Sequence, residues 1–586
     1  MTWRRATDDA DERSRHESVG REFATQDWLI VFEALVAWAG PPADRARGTT
    51  DTPRERRAWE LVDLIASGID LPPDEVPFRI DAGSTTAGPA HPRKAERDPV
   101  GIRCPIGRES PTRTRNGALS TRFRRGARRQ RMDEALGDVV ARVRERATPA
   151  EAERARIERV VETVLTRATE AVDALPVDAD VVQVGSTGRG TWVSGDRDVD
   201  VFVRFPPDLD RAELERYGLA VGNEVLPRSR EEYAEHPYVA GEIDGVSVDL
   251  VPCFRVESAT EIRSAVDRTP FHTQYLERRL DDRLAADVRV CKSFLAGIDA
   301  YGSDQRTRGF SGYLVELLVC EHGGFVELIE AAADWSPPVR FDPEAHGERT
   351  FEDPLVVVDP TDPRRNVAAV LSTTNLARFQ HYARDLLADP RESCFASREP
   401  HSLAAEAIRE EIAARGTTPI ALRFPMPDLL DDQLYPQLRK SSAGIGRALD
   451  DQGFDVLRRD VFAADEANGR DCVLLFDLEV AERPRIERHE GPPVGVRDHA
   501  RSFYETYADT DVYGPFIDGD RYVVERSREF TGAAAFLRSD ALFAAALGAD
   551  VETALDAECD LLVGAEVADL ADTFGTELAC YFAPNP

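Results

Sequence analysis

The sequence predicts a multidomain α+β protein, and three observations support this fold class. Its 586 residues exceed the roughly 250–300 residues at which one hydrophobic core stops growing. Hydrophobic residues make up 42% of the chain, which is enough for packed cores and too much for a wholly disordered protein. Beyond residue 132, segments of helical periodicity alternate with short strand-like runs. We therefore expect three or four domains, one of them built on a small mixed β-sheet.

The composition also excludes several classes of protein. No run approaches the roughly 20 apolar residues that a membrane-spanning helix needs. The first residues are acidic, which argues against a signal peptide. The eight cysteines never form a CxxC pair, so we expect neither a zinc ribbon nor a disulfide framework. These features favour a cytoplasmic protein without a membrane partner.

The net charge of −33 is unevenly distributed along the chain. Residues 1–131 carry a net charge of +4, and the remainder carries −37. Lysine occurs only at Lys94, Lys292 and Lys440, so almost every basic residue is arginine. Acid excess with little lysine resembles the proteins of extreme halophiles, whose carboxylates keep the surface hydrated. At ordinary ionic strength such acidity argues against a nucleic-acid partner. At several molar salt, counterion release contributes little, and RNA binding can depend on shape, stacking and hydrogen bonds instead.

The N-terminal segment differs in character from the rest. Residues 28–38 and 57–66 are typical of amphipathic helices. Residues 76–131 hold 14 basic and four acidic side chains among many Gly, Pro, Ser and Thr, and we expect this stretch to remain unordered. The charge character changes at Met132, which favours translated upstream sequence before a true start at Met132. A genuine basic arm is the alternative.

The sequence that follows predicts a small α/β domain. Thr148-Pro149-x-Glu151 is typical of a capping box at the start of a long amphipathic helix. A second helix is expected from about Arg211. Three strands are expected at residues 181–184, 198–203 and 246–251.

Three aspartates on these strands are the candidate catalytic residues. Residues i and i+2 face the same side of a sheet, so Asp198 and Asp200 project together. Asp249 lies opposite the apolar side of its own strand. Three carboxylates on one face raise each other's pKa, and a magnesium ion that also binds phosphate oxygens is the usual compensation.

A turn upstream of these strands is a candidate phosphate site. Gly185 and Ser186 follow the first strand, where free backbone N–H groups can hold a phosphate. The Ser186 hydroxyl and the Arg189 guanidinium could add direct contacts. A Gly-Ser turn or a DxD strand alone is typical of ordinary surface structure. Together, with eleven residues between Ser186 and Asp198, they favour a functional site.

The motif GS-x11-DVDVF with a later strand aspartate resembles the nucleotidyltransferase superfamily that includes DNA polymerase beta. A longer series resembles the archaeal-type CCA-adding enzymes, the class I tRNA nucleotidyltransferases: YAEHPYV, VSVDLVPC, SAVDRTPFH, RGFSGYLVELL, DPTDPRRNVAA, NLARF and DDQLYPQL. The resemblance covers residues 132–586 and leaves 1–131 unmatched. It implies a polymerase-beta-like head at 132–273, a helical central domain at 274–400, and an α/β body and tail at 401–586.

The resemblance also implies roles for individual residues. The catalytic, metal-binding carboxylates would be Asp198, Asp200 and Asp249, the first often being glutamate in relatives. The incoming CTP or ATP would contact Ser186, Arg189, His272, Lys292 and Tyr301. Further active-site positions would be Gly185, His236, Thr269 and Arg378, the last helping to recognise bases. Lys292 has independent support, because this chain uses arginine wherever a generic positive charge suffices, although a chance lysine stays an alternative. Read alone, His272 and Tyr301 would be ordinary packed side chains.

The implied reaction is template-independent addition of C, C and A to the 3′ end of immature or damaged tRNA. CTP and ATP would be the substrates, pyrophosphate the leaving group and Mg²⁺ the cofactor of a two-metal transfer. The body and tail would hold the acceptor stem and TΨC arm, and the resemblance implies a homodimer. Two alternatives are a related transferase, such as a poly(A) polymerase-like or protein-nucleotidylating enzyme, and a catalytically inactive RNA-binding protein. The complete carboxylate set argues against the inactive protein, and the motif series argues against the other transferases.

Overall fold

The computed structural model describes residues 116–586 apart from 227, 234, 348, 398–400 and 465–468, with side chains from residue 132 onward. The helices predicted at 28–38 and 57–66 lie outside the described residues. The first described element is helix α1 (Asn116–Ala147), which continues through Met132 without a break. The expectation of an unordered stretch is therefore wrong for residues 116–131, which are helical, because arginine is a good helix former.

Helix α2 (Glu151–Asp173) begins slightly later than the sequence predicts. The backbone N–H of Ala150 donates to the Glu153 carboxylate at 2.8 Å, and this contact caps the first turn. The Thr148 hydroxyl instead donates to the carbonyl of Arg144 in the preceding helix, at 2.7 Å. The predicted capping box is therefore displaced by two residues.

The head contains a five-stranded sheet in the order β1-β2-β5-β4-β3. Its elements in chain order are β1 (Asp180–Val184), the one-turn helix α3 (Gly185–Gly188), β2 (Asp198–Phe205), α4 (Arg211–Val225), β3 (Ser229–Tyr233), β4 (Pro237–Ile243) and β5 (Val246–Phe254). Strands β2 and β5 are parallel, and the other neighbours are antiparallel. The predicted mixed sheet and its three strands are thus confirmed. The β3–β4 hairpin was not predicted, because β3 is polar and β4, although mostly apolar, does not alternate strictly between apolar and polar residues.

Helices α2 and α4 cover one face of this sheet. Alternate strand residues such as Val199, Val201 and Leu250 pack in one core with Val160 of α2 and Val221 of α4. Since side chains alternate along a strand, the intervening aspartates lie on the opposite face, clear of these helices.

The central part of the chain is mostly helical. Its elements are α5 (Thr269–Glu277), α6 (Asp282–Gly297), α7 (Gly312–His322), α8 (Phe325–Ala333), the short strands β6 (Val339–Phe341) and β7 (Leu355–Val357), and α9 (Thr373–Ala388). Phe294, Phe325 and Phe379 are buried in its core. Leu136 and Val143 of α1 belong to the same core, so α1 packs with the central helices, whereas the sequence assigns residues 132–147 to the head.

The C-terminal part contains a four-stranded sheet in the order β14-β8-β10-β9 and a three-stranded sheet in the order β11-β13-β12. Its elements are α10 (Ala405–Arg415), β8 (Thr418–Pro425), α11 (Asp431–Asp451), β9 (Val456–Ala463), β10 (Asp471–Leu478), β11 (Ile486–Pro493), α12 (Arg497–Tyr507), β12 (Tyr513–Asp518), β13 (Arg521–Ser527), α13 (Ala533–Leu537), α14 (Ala549–Ala557), β14 (Asp560–Val563) and α15 (Ala571–Phe582). Strand β10 separates two cores, with Leu474 and Phe476 on one face and Val473 and Leu475 on the other. Within the described chain, no helix is both long enough and apolar enough to span a membrane.

Helix α4 lies so close to the sheet that Gly222 has no room for a side chain. A Cβ at Gly222 would stand 2.4 Å from the Val239 side chain. We expect Gly222→Val to lower the free energy of unfolding by about 1–3 kcal/mol through overpacking. The control Gly137→Ala, in α1 with nothing within 4 Å, should raise it by about 0.5–1 kcal/mol. Urea unfolding at fixed salt measures both, and equal effects of the two substitutions would contradict this packing.

Candidate active site

The sheet register brings two of the predicted carboxylates together. Asp200 of β2 lies directly opposite Asp249 of β5 in the parallel pair, and Asp198 lies opposite Ser247, one pair away on the same face. The same face continues into the protein with buried Phe202 and Val251. The three aspartates therefore form one carboxylate cluster at the edge of an apolar layer.

The turn after β1 lies directly against this cluster. Val184 pairs with Asp200, so Gly185 follows at the level of the carboxylate. Gly185 has φ +75°, and a Cβ there would stand 1.9 Å from the Asp200 Oδ2 atom. Glycine is therefore required both by the left-handed backbone and by the close approach of the Asp200 side chain. Ser186, half-buried, comes next in the turn, and its carbonyl accepts a hydrogen bond from the Thr191 N–H at 3.0 Å.

Two carboxylates of this cluster, Asp200 and Asp249, are partly buried and repelled by neighbouring charges, and both effects raise their pKa values. Burial raises the pKa of Asp200, with a further increase from the Asp198 charge, and Arg189 opposes the shift. Burial likewise raises the pKa of Asp249 to about 6, with contributions from Asp200 and Glu232. Arg189 and Arg230 offset part of the charge of Asp200 and Asp249, and carboxylate oxygens are ligands that a hard divalent cation prefers. Among the described residues, no group of three or more His, Cys, Asp or Glu side chains is arranged so that it could hold a metal ion, so the three aspartates do not form a metal site by themselves.

Arg189 is part of a buried ion pair that the sequence did not predict. Its guanidinium donates to both carboxylate oxygens of Glu316 on α7, at 2.8 and 3.3 Å, and to the Thr273 hydroxyl at 3.0 Å. The Glu316 side chain is 0% exposed and that of Arg189 is 7% exposed. The Thr191 hydroxyl also donates to Glu316. These contacts fix the turn of residues 185–192 against the central helices.

Lys292 and Tyr301 lie beside this network. The Lys292 ammonium is buried and donates to the Thr191 carbonyl at 3.0 Å. Burial lowers the pKa of Lys292, and the neighbouring Glu316 opposes the shift. Both the Tyr301 hydroxyl and the Lys292 Nζ lie within 4 Å of the point where a Cβ at Gly312 would stand. The two predicted nucleotide contacts are thus neighbours in space.

His272 and Thr269, two further predicted residues, both lie on helix α5. His272 of α5 contacts Asp359 and stacks on Tyr313, beside Thr273, which bonds to Arg189. Thr269 is the first residue of the same helix.

Two further predicted positions, His236 and Arg378, make their contacts in other parts of the described chain. His236 is buried against Phe254 and Glu215, on the helix-covered face of the sheet, because Phe254 belongs to the core under α2 and α4. The predicted active-site position of His236 is therefore not supported. Arg378 donates to the Asp299 carbonyl at 3.2 Å and to Asn375 at 2.8 Å, and so braces the segment before Tyr301. Its role in base recognition stays a prediction.

Sequence reasoning missed four residues of this region: Thr191, Glu316, Asp359 and Arg365. Arg365 donates to Asp359 at 2.9 Å, next to His272. Glu316, Asp359 and Arg365 stand in the motifs RGFSGYLVELL and DPTDPRRNVAA, which the sequence analysis used only as family markers. A charged residue inside the otherwise apolar run of α7 was the available signal for Glu316.

The comparisons with known proteins show that this protein is a nucleotidyltransferase, and the mixed sheet with its glycine-serine turn fits that class. Family models match in the same order along the chain: the nucleotidyltransferase domain at residues 165–272, the second domain of tRNA nucleotidyltransferase at 286–396, and the C-terminal domain of the CCA-adding enzyme at 415–564. Among solved structures, a cytoplasmic RNA terminal U-transferase aligns with a TM-score of 0.35 and 15% identity, over 45% of this chain and 99% of that one, which is too weak a similarity to add support.

Three relatives named CCA-adding enzyme match most of the chain. The Haloarcula marismortui protein is 60% identical over 466 residues, covering 78% of this chain and 100% of the relative. The Halorubrum lacusprofundi protein is 60% identical over 460 residues (77% and 99%), and the Halobacterium salinarum protein 55% over 451 residues (76% and 98%). The chain therefore belongs to the CCA-adding enzyme family. These sources are halophilic archaea, in agreement with the acidic, lysine-poor composition.

The close approach of Gly185 to Asp200 gives a sharp test of the carboxylate geometry. We expect Gly185→Ala to lower turnover about 100-fold or more, because the new methyl group must displace the Asp200 carboxylate by an ångström or more. The measurement is nucleotide incorporation under saturating substrates.

Gly416→Ala is the matched control for Gly185→Ala. Gly416, outside the proposed site, also has a left-handed φ of +67°, but a Cβ there meets nothing within 4 Å. The control therefore introduces a similar backbone strain without touching Asp200, and it should keep most of the activity. Equal losses in both variants would show that backbone strain, not the displaced carboxylate, is responsible.

Proposed function

We propose that this chain adds C, C and A to the 3′ end of tRNA from CTP and ATP, with release of pyrophosphate. The observation that carries the proposal is the pairing of Asp200 with Asp249 beside the Gly185–Ser186 turn, in a member of the CCA-adding enzyme family. A carboxylate cluster next to a phosphate-binding turn is the arrangement that nucleotidyl transfer requires, because charge develops on the α-phosphate during the reaction.

We propose Mg²⁺ as the metal, held by Asp198, Asp200 and Asp249. When bound, it supplies charge stabilisation to the transferring phosphate and lowers the pKa of the RNA 3′-hydroxyl. The chain's own contribution is to hold the three carboxylates on one face through the β2–β5 register. Phe202 and Val251 make the inner end of this face apolar, which strengthens electrostatic interactions there.

We propose that the incoming triphosphate lies along the turn of residues 185–192. Ser186 would offer its hydroxyl and the turn its backbone N–H groups. Lys292, close to Tyr301, would act as a compact positive charge at the inner end of the site. Arg189 would contribute positive potential while Glu316 keeps its guanidinium fixed. Because these groups are fixed before the substrate arrives, little reorganisation is needed on binding.

We propose that the C-terminal part holds the acceptor stem and TΨC arm mainly through shape and backbone contacts. An open cavity of about 540 Å³, between this part and the central part, is lined by Arg306, Arg439 and Arg459 together with Asp460 and Glu577. Arg459 is exposed, whereas Arg439 is held by the Gln305 carbonyl and Arg458 lies over the Tyr581 ring at 3.9 Å. Arg459 is therefore better placed than Arg439 or Arg458 to meet a phosphate.

We also propose a homodimer in the cytoplasm, on the basis of the family resemblance and of a tRNA substrate. Sedimentation equilibrium at the working salt concentration measures the oligomeric state directly. A monomer at micromolar concentration would contradict the proposed dimer.

The function is tested with a tRNA that lacks its 3′ CCA, incubated with the full chain and Mg²⁺. CTP alone should give two added residues, and CTP with ATP should give three and then stop. Chelation of the metal should abolish incorporation, and added Mg²⁺ should restore it. An unlimited A tail would indicate a poly(A) polymerase-like enzyme, and the absence of any product an inactive RNA-binding protein.

The carboxylate roles are tested by Asp200→Asn and Asp249→Asn in the same assay. We expect at least about a 1,000-fold loss of turnover, since each change removes a negative ligand from the site where charge must be balanced. In the absence of metal, neither change should lower the free energy of unfolding, because each relieves repulsion. Asp208→Asn, at an exposed position after β2, is the control and should leave turnover unchanged. Retained incorporation in either site variant would overturn the metal assignment.

A further inference from the structure

A cavity of about 410 Å³ borders the turn of residues 185–192 and is not lined by the three aspartates. Gly185 begins this turn against the carboxylate cluster, whereas Gly190, further along the turn, lines the cavity. The other walls include Arg154 near the start of α2 and Arg289 in the middle of α6. The mechanism above uses neither of these arginines, although both lie beside the turn that is proposed to hold the triphosphate.

Within the described part of the chain, these two arginines form no ion pair with a carboxylate. Arg154, which is exposed, donates to the Pro149 carbonyl at 3.0 Å. Arg289, which is half-buried, donates to the Gly190 carbonyl, and its Nε atom is buried without a hydrogen-bond partner among the described residues. The chain has 107 acidic and only 74 basic residues, so acidic partners are abundant elsewhere. The guanidinium groups of this cavity therefore remain available to a ligand of negative charge.

The charges around the cavity repel one another. Burial lowers the pKa of Arg289, and the charges of Arg154 and Arg144 act in the same direction. Asp282, an exposed carboxylate that also lines the cavity, opposes the shift. Arg144 already has the buried Asp287 as its partner, at 2.6 Å. The charge without a bonded partner thus belongs to Arg154 and Arg289, and an anion bound between them would relieve the repulsion.

A phosphate group is the anion that fits these donors best. A guanidinium presents a planar fork of N–H groups that matches two phosphate oxygens at once. The volume of the cavity is within the range of small-molecule sites. Two phosphate sources come near this region in the proposed reaction, namely the pyrophosphate that leaves the nucleotide and the backbone of the RNA.

The position of the cavity favours pyrophosphate over RNA. In an in-line transfer, the 3′-oxygen of the RNA bonds to the α-phosphorus from one side. The bond to the β-phosphate breaks on the other side, and pyrophosphate leaves with the electron pair. Because the triphosphate is proposed to lie along the turn of residues 185–192, pyrophosphate leaves on the side of this turn. Arg189 and Gly190 of the same turn line the cavity, whereas RNA approaches from the opposite side.

We propose that Arg154 and Arg289 form a second anion site, which binds pyrophosphate after it has left the nucleotide. The site differs from the proposed triphosphate contacts. Of those contacts, the described lining of the cavity includes Arg189 alone, and Glu316 already holds its guanidinium. The proposal rests on the proposed function in one respect, the identity of the anion, since pyrophosphate is the product of that reaction.

Helix α6 offers a matched control for Arg289. Arg283 stands on the same helix, is exposed and donates to the Gly323 carbonyl at 3.0 Å. Arg283 does not belong to the lining of the cavity. Arg289→Gln and Arg283→Gln change the net charge of the chain by the same amount, so a difference between them reports the cavity and not the overall charge.

The first measurement locates pyrophosphate in the wild-type chain without metal, nucleotide or RNA. Without metal, the carboxylate cluster repels pyrophosphate, so binding beside the aspartates is disfavoured. Crystals of the full chain soaked in pyrophosphate should show it in contact with the guanidinium groups of Arg154 and Arg289. An empty cavity, or pyrophosphate at Ser186 alone, would overturn the proposal. This measurement needs no variant and therefore stands even where a variant fails to fold.

The second measurement is calorimetric titration of pyrophosphate into the metal-free full chain at fixed salt. Arg289→Gln should raise the Kd about 10-fold, because it removes charge-assisted hydrogen bonds to the phosphate. Arg283→Gln should leave the Kd within about twofold of wild type, because its charge is exposed and distant from the ligand. Equal effects of the two substitutions would contradict the site.

The KM for tRNA distinguishes pyrophosphate from the RNA backbone as the occupant. Arg289→Gln should leave this constant within about twofold of wild type, because RNA approaches from the opposite side of the α-phosphate. A large increase in the KM for tRNA with an unchanged Kd for pyrophosphate would assign the cavity to RNA and overturn the proposal. Failure of the proposed function looks different, because the wild-type chain would then add no C to tRNA, while pyrophosphate binding to the metal-free chain could still be measured.

Discussion

The buried ion pair between Arg189 and Glu316 determines where the turn of residues 185–192 lies. Removing one partner of such a pair leaves an uncompensated buried charge, which costs about 3–5 kcal/mol. The pair joins the head to α7 of the central part, and Thr191, Thr273 and Lys292 add hydrogen bonds around it. The proposed phosphate site is therefore built where head and central helices meet.

The aspartate cluster has the opposite effect, because its carboxylates repel one another and destabilise the fold. The β2–β5 register places Asp200 opposite Asp249, and burial raises the pKa of both. The fold thus carries a repulsive cluster beside a turn that the ion pair holds rigidly in place. This combination has no structural benefit, and it suits a cation and a phosphate group that arrive together. The repulsive cluster lowers the stability of the proposed site, and the surrounding hydrophobic cores compensate.

Local sequence patterns predicted the part of this site whose geometry depends on neighbouring residues. The period of two along β2 and the Gly-Ser turn placed Asp198, Asp200 and Gly185 correctly, because their geometry depends only on neighbouring residues. Glu316 lies 127 residues from Arg189, and no periodicity links them. His236 stands in a family motif, yet the hairpin turns it to the opposite face. The motifs thus identified the segments that build the site. Which residues of those segments contact each other could be seen only in the folded structure.

Hydrogen-exchange mass spectrometry of Glu316→Gln tests most directly whether this ion pair holds the turn. The substitution keeps the shape of the side chain and removes its charge. Amide exchange in residues 185–192 should rise at least about tenfold, while exchange in β2 stays at the wild-type rate, because only the turn loses its anchor. Unchanged exchange in the turn would contradict the central role of the pair.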